Sequence, residues 1–171
     1  MTVHHLKVVP GRKTPAERRE DLRKSLWPES DTEVWNRKKE KGFCTIPRTL
    51  SLTMTLIDDL LKGKDASHVY LDIWCRSFDE GLVEVSDEEA FAFSSGYTSS
   101  RRSVRTWRER IEFLNQMGFI RVHPHGNRKF GYFMLRHPHL VIKELKVQGK
   151  IPDQWWAAYV KRASEIGAEL P

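Results

Sequence analysis

Cysteine is nearly absent from this chain, with Cys44 and Cys75 the only two. They make no disulfide framework and no zinc spacing, so both are expected as reduced thiols in or near the core. No stretch approaches the ~20 apolar residues of a membrane helix, and the N-terminus lacks the apolar run of a signal peptide. A cytoplasmic protein is the expectation, with no membrane partner. Also missing are a nucleophile elbow, a P-loop, a zinc quartet and any clustered acidic pair in a setting that would tune its pKa. No enzyme activity and no cofactor are therefore expected. What remains is 171 residues of ordinary globular composition, 39% hydrophobic and 30% charged, with room for one core plus decoration.

The net charge of +6 is unevenly spread. Lys and Arg against Asp and Glu number 11 to 7 over residues 1–42, 4 to 10 over 43–97, 9 to 2 over 98–136 and 5 to 4 over 137–171. The positive excess thus sits on one stretch behind an acidic one. Such asymmetry is the footprint of a polyanion-binding face, because each neutralised phosphate releases condensed counterions. The acidic residues Asp58, Asp59, Asp72, Asp79, Glu80, Glu88 and Glu89 are expected to face away from that polyanion.

The basic stretch has a legible order. Ser86 with Glu89 forms a capping box ahead of the apolar Ala90, Phe91 and Phe93, and Ser94 to Tyr97 with Gly96 break the short helix that follows. A second helix is predicted over about 99–117. Val104, Trp107, Ile111 and Leu114 share its buried face, and Arg101, Arg105 and Arg108 gather opposite with Arg102 beside them. Ser99 or Ser100 suits the cap, and Gly118 suits the left-handed closing position, which folds Phe119 back on Leu114. Two i,i+4 pairs are open to these arginines, Arg105 with Glu109 and Arg108 with Glu112. Ile120 and Val122 then alternate with polar neighbours, as do Phe133 and Leu135 with Tyr132 and Met134. With Gly126-Asn127 as turn, this predicts a hairpin pairing Ile120 with Leu135 and Val122 with Phe133.

The segment SSRRSVRTWRERIEFLNQMGFIRV resembles the recognition helix and first wing strand of winged helix-turn-helix regulators found across bacteria, a likeness covering roughly residues 66–136. The resemblance implies double-stranded DNA as partner, with the helix in the major groove and the wing, about 119–136, against backbone or minor groove. On that reading Ser99, Ser100, Arg101, Arg102 and Arg105 reach base edges. Arg108 and the wing-tip residues His125, Asn127, Arg128 and Lys129 hold phosphates. Leu82 to Val85 would join the wing as a third strand, and the stripe Val69, Tyr70, Ile73, Trp74 and Phe78 would be the domain's first helix.

The expected fold class is mainly α with a small antiparallel hairpin or sheet (α+β), a winged core with extra N- and C-terminal helices. Residues 1–42 form a basic arm with one helix and a linker. Thr14-Pro15-Ala16-Glu17 starts that helix, which runs to about Trp27; residues 28–42 are a linker or a short frayed helix. Residues 43–136 hold the winged domain with one leading helix at 48–62, whose stripe is Leu50, Met54, Ile57, Leu60 and Leu61. Residues 137–171 carry two helices, 138–148 and 152–168. The aromatics of the last helix either form a homodimer surface or cover the back of their own domain. The triplets His123-Pro124-His125 and His137-Pro138-His139 are not expected to share a metal, since a strand rise of ~3.3 Å puts tip and base ~20 Å apart. A transcriptional regulator is the leading reading. A plasmid or phage replication or partition factor, and a winged module for protein contact without DNA, are the alternatives.

Overall fold

The computed structural model describes residues 13–28, 33–62, 64–98 and 102–170, without the Arg102 side chain. Among these residues there are seven helices and one three-stranded antiparallel sheet, an α+β architecture in which helix dominates. The chain divides into two compact units, Met1–Phe43 and Cys44–Pro171.

In the first unit α1 spans Pro15–Leu26 and begins as its sequence predicts. Glu17 N donates to Thr14 Oγ1 at 3.2 Å, and Thr14 N donates to Glu17 Oε2 at 2.6 Å, a complete capping box with proline in the first turn. None of its residues is buried, so capping and surface charge pairs such as Glu20–Lys24 hold it rather than a packed face. Residues 33–43 form turns and no helix, with Lys38 N bonded to Asn36 Oδ1 and the Trp35 ring edge-on to Phe43 at 5.9 Å.

In the second unit α2 (Leu50–Leu60) buries Leu50, Thr53, Leu56 and Ile57. The buried face is therefore turned from the expected stripe: Met54, Leu60 and Leu61 are only partly covered, while Thr53 is inside because its hydroxyl donates to Thr49 O one turn back. Helix α3 (Ser67–Arg76) starts where Asp58 Oδ1 accepts from Ala66 N and Ser67 N at 2.8 and 2.9 Å. It buries Val69, Tyr70 and Ile73, but Phe78 lies beyond its end and is 80% exposed. Strand β1 (Leu82–Glu84) leads to α4 (Glu88–Ser94) and α5 (Arg102–Met117). The cap of α4 is Asp87 rather than Ser86: its Oδ1 accepts from Glu89 N and Ala90 N at 2.9 and 3.3 Å. A carboxylate is the better acceptor at the positive end of a helix.

The expected start of α5 at Ser99, Ser100 and Arg101 lies outside the described residues. Its end is as predicted, with Gly118 at φ +86° and Phe119 N bonded to Leu114 O at 2.9 Å. Strands β2 (Ile120–His125) and β3 (Arg128–Leu135) pair Ile120 with Leu135 and Val122 with Phe133. The predicted register is thus observed, with an irregularity between His123 and His125. Strand β1 pairs with β3 (Val83 opposite Phe133), giving the sheet order β1-β3-β2. The core lies where α2 to α6 meet one face of this sheet, with Leu56, Tyr70, Trp107, Ile111, Phe119, Phe133 and Ile142 fully enclosed.

Helices α6 (Pro138–Val147) and α7 (Asp153–Glu165) close the unit. Tyr159 and Ala163 of α7 are 1% exposed, and Trp155 stacks on Tyr159 at 4.9 Å. This aromatic side is turned into its own unit. His139 is buried as well, with Nε2 3.1 Å from Thr49 Oγ1 and Nδ1 3.3 Å from Glu169 O. Cys44 is half-buried and Cys75 exposed, so the expected core position fails for the second thiol.

Candidate nucleic-acid interface

Helix α5 is held from beneath by aromatic packing. Trp107 meets Phe91 of α4 and Phe130 of β3 edge-on, each at 5.9 Å, and lies tilted on Phe133 at 6.0 Å. These contacts tie both neighbours of α5 to one buried side chain. A polar tie fixes the rotation of the helix: Arg110 Nε donates to Asp65 O at 2.8 Å, and the Tyr97 hydroxyl donates to Asp65 O and Oδ1, both at 3.1 Å. Burial, then the Asp65 charge, push the Tyr97 phenol up to about 12. Arg110 is 9% exposed and is a structural arginine that charge counting credited to the surface. Its sequence signal was its place three residues after Trp107, on the border of the apolar face.

The hairpin tip is shaped by close approach. A Cβ on Gly131 would lie 2.3 Å from His125 Cβ and 2.4 Å from His125 N, so only glycine fits there. The Tyr132 hydroxyl sits 2.7 Å from His125 Nδ1. Arg128 Nη1 donates to the carbonyl oxygens of Val85 and Ser86 at 2.8 and 3.0 Å, stitching the tip to the entrance of α4.

Helix and tip enclose a cleft of about 460 Å³. Arg108, Asn127, Arg128 and Lys129, all expected phosphate ligands, line it together with Phe130, Glu88 and Glu112. The two carboxylates are unexpected there. Arg108 Nε and Nη2 both approach Glu88 Oε2 at 2.6 Å, and the Lys129 ammonium is bonded to Glu112. The i,i+4 pair open to Arg108 and Glu112 does not form, because Glu88 and Lys129 take its members across the cleft. Nor does Glu88 face away from the basic surface. The other open pair does form, Arg105 Nε to Glu109 Oε1 at 3.3 Å.

No known family model matches this chain, and no curated protein or solved structure matches it either. The site must therefore speak through its own geometry. Of the ten expected DNA-binding residues, Arg108, Asn127, Arg128 and Lys129 meet in the cleft. Arg105 lies on the outer face of α5 with its side chain 82% exposed. His125 is also exposed, at the end of β2. Ser99, Ser100 and Arg101 lie outside the described residues, and Arg102 opens α5. No helix among the described residues is long and apolar enough to cross a membrane.

Proposed function

We propose that the chain is a sequence-specific, double-stranded DNA-binding protein of the winged helix-turn-helix kind, a transcriptional regulator that offers α5 to the major groove and the β2–β3 hairpin to the backbone or minor groove. The observation that carries the reading is the shared cleft: helix and hairpin tip present their cations to one opening. Support also comes from the element order α3-β1-α4-α5-β2-β3 with sheet order β1-β3-β2. In this reading Ser99, Ser100, Arg101, Arg102 and Arg105 read bases, and Arg108, His125, Asn127, Arg128 and Lys129 hold phosphates. Arginine suits base reading because its planar fork bonds guanine O6 and N7 together, worth ~1–3 kcal/mol of discrimination per good pair.

Selection of bound fragments from random or genomic DNA, followed by anisotropy titration, tests the proposal. An enriched motif with salt-dependent affinity is the expected result, and a palindrome with half-sites ~10 base pairs apart would report a homodimer. Because the aromatic side of α7 is turned inward, such a dimer would use another surface. Enrichment of iterated repeats at an origin would move the job to replication or partition. Absence of duplex retardation at low salt would overturn DNA binding. The third reading, a protein-contact module, has one observation in its favour: Leu82 and Met134, paired across β1 and β3 on the outer sheet face, are 53% and 47% exposed.

A further inference from the structure

Two of the three cations of the cleft already hold carboxylates in place of phosphate. Arg108 donates Nε–H to Glu88 Oε2, with Nη2 also 2.6 Å from that oxygen and the Glu88 side chain only 15% exposed, and Lys129 gives its ammonium to Glu112. Glu88 is further held in the first turn of α4, where the helix dipole favours a negative charge. Glu112 reaches from α5 to the hairpin instead of pairing within its own helix. Three cations and two carboxylates line the cleft, leaving it at net +1.

We propose that Glu88 and Glu112 are built-in competitors for the DNA phosphates, each of which must surrender its cation when a duplex seats, so that they lower affinity for every sequence and flatten its salt dependence. The inference rests on the DNA-binding reading above. A free cation that neutralises a phosphate releases close to one condensed counterion, which adds ~0.9 to the slope of log affinity against log salt. A cation taken from a carboxylate leaves that carboxylate beside the phosphates, where it recruits a counterion of its own. One ion leaves and one arrives, so the pair adds little to the slope. Because the pairs hold phosphate-directed side chains and not base-directed ones, the penalty is the same for a preferred site and for random DNA. Specificity is thereby kept while non-specific occupancy falls.

The test titrates the full chain against a random-sequence 30-base-pair duplex by fluorescence anisotropy from about 50 to 200 mM salt, the range over which phosphate contacts change affinity most visibly. Glu88→Gln and Glu112→Gln are each expected to tighten Kd about two- to fivefold at intermediate salt. Each should also steepen the salt slope by roughly 0.5 to 0.9. Glu80→Gln is the control: Glu80 is exposed beside Gly81, whose carbonyl accepts from Leu135 at the hairpin base, ~20 Å from the tip and beyond the Debye length. It should change neither quantity. Simple repulsion of DNA by Glu112 is separated by Lys129→Gln: in that background Glu112→Gln should lose its effect, since no cation remains to be released. An equal gain with and without Lys129, or no gain in either Glu variant while the wild type binds, overturns the proposal and leaves DNA binding standing. A wild type that retards no duplex at low salt overturns both. Thermal melts accompany every variant, and if Glu88→Gln fails to fold, the Glu112 and Lys129 cycle decides by itself.

Discussion

Trp107 is the side chain on which the seating of α5 depends. It is fully buried and touches aromatic rings from α4 and β3, so truncation removes the contact that aligns helix with hairpin. Trp107→Ala is expected to destabilise the chain by ~3–5 kcal/mol in urea unfolding. Trp107→Phe should cost far less, because the indole N–H is buried with no partner among the described residues and phenylalanine removes that unsatisfied donor. Arg136 makes a different single-residue prediction. Its guanidinium donates to both oxygens of Glu144 at 2.7 and 3.0 Å and to Gly118 O at 3.0 Å, joining the end of β3 to α5 and α6. The bond from Arg136 holds the Glu144 carboxyl below its ordinary 4.5. A depressed carboxylate contributes stability that is fully present above the ordinary value and is lost as pH falls through the lowered one. Arg136→Gln should therefore narrow the gap in melting temperature to wild type as pH is brought from 7 down through the carboxylate range. A gap independent of pH would show that the Gly118 contact is the whole effect.

At the scale of elements, the hairpin and α4 show what local sequence reaches. Alternation at Ile120, Val122, Phe133 and Leu135 with a Gly126-Asn127 turn was enough for the register, since a slip of one residue would turn all four out of the core. The irregularity beside His125 was not legible. It depends on Gly131 letting two backbones approach, and a glycine in a strand announces closeness without saying to what. Gly131→Ala should force the tip open and destabilise the fold by ~1–3 kcal/mol, read by urea unfolding, while duplex affinity falls with the displaced tip. On α4 the predicted cap is Ser86, and the observed one is the neighbouring carboxylate of Asp87. Asp87→Ala is expected to cost ~1 kcal/mol where Ser86→Ala costs little, a comparison that equilibrium unfolding makes directly.

At the scale of the molecule, the excess of nine cations over two acids in residues 98–136 overstates the charge offered to a partner. Glu88 covers Arg108, Glu112 covers Lys129, Glu144 covers Arg136, and Arg110 is enclosed against Asp65. Of the residues assigned to DNA, Arg105 and Arg128 separate cleanly. Arg105 is almost fully exposed, and its pair with Glu109 is worth ~0.2–0.5 kcal/mol, so Arg105→Ala should relax base preference with no measurable change in melting temperature. Arg128 also holds the Val85 and Ser86 carbonyls. Arg128→Ala should weaken binding to selected and random duplexes alike and lower the melting temperature as well. Equal losses of base preference in both variants would remove the division of roles.

The sequence by itself determined the elements of this protein: the box at Thr14 and Glu17, the stripe through Trp107, the closing turn at Gly118 and the hairpin register. Each of these is set by groups a few residues apart, through side-chain period, backbone freedom and local hydrogen bonds. Only the tertiary structure decided which charges stay available. Arg108 lies four residues from Glu112 yet bonds Glu88, twenty residues earlier, while Glu112 turns to Lys129. Coulomb attraction acts through space and ignores chain order, so the partner of a cation is whichever carboxylate folding brings nearest.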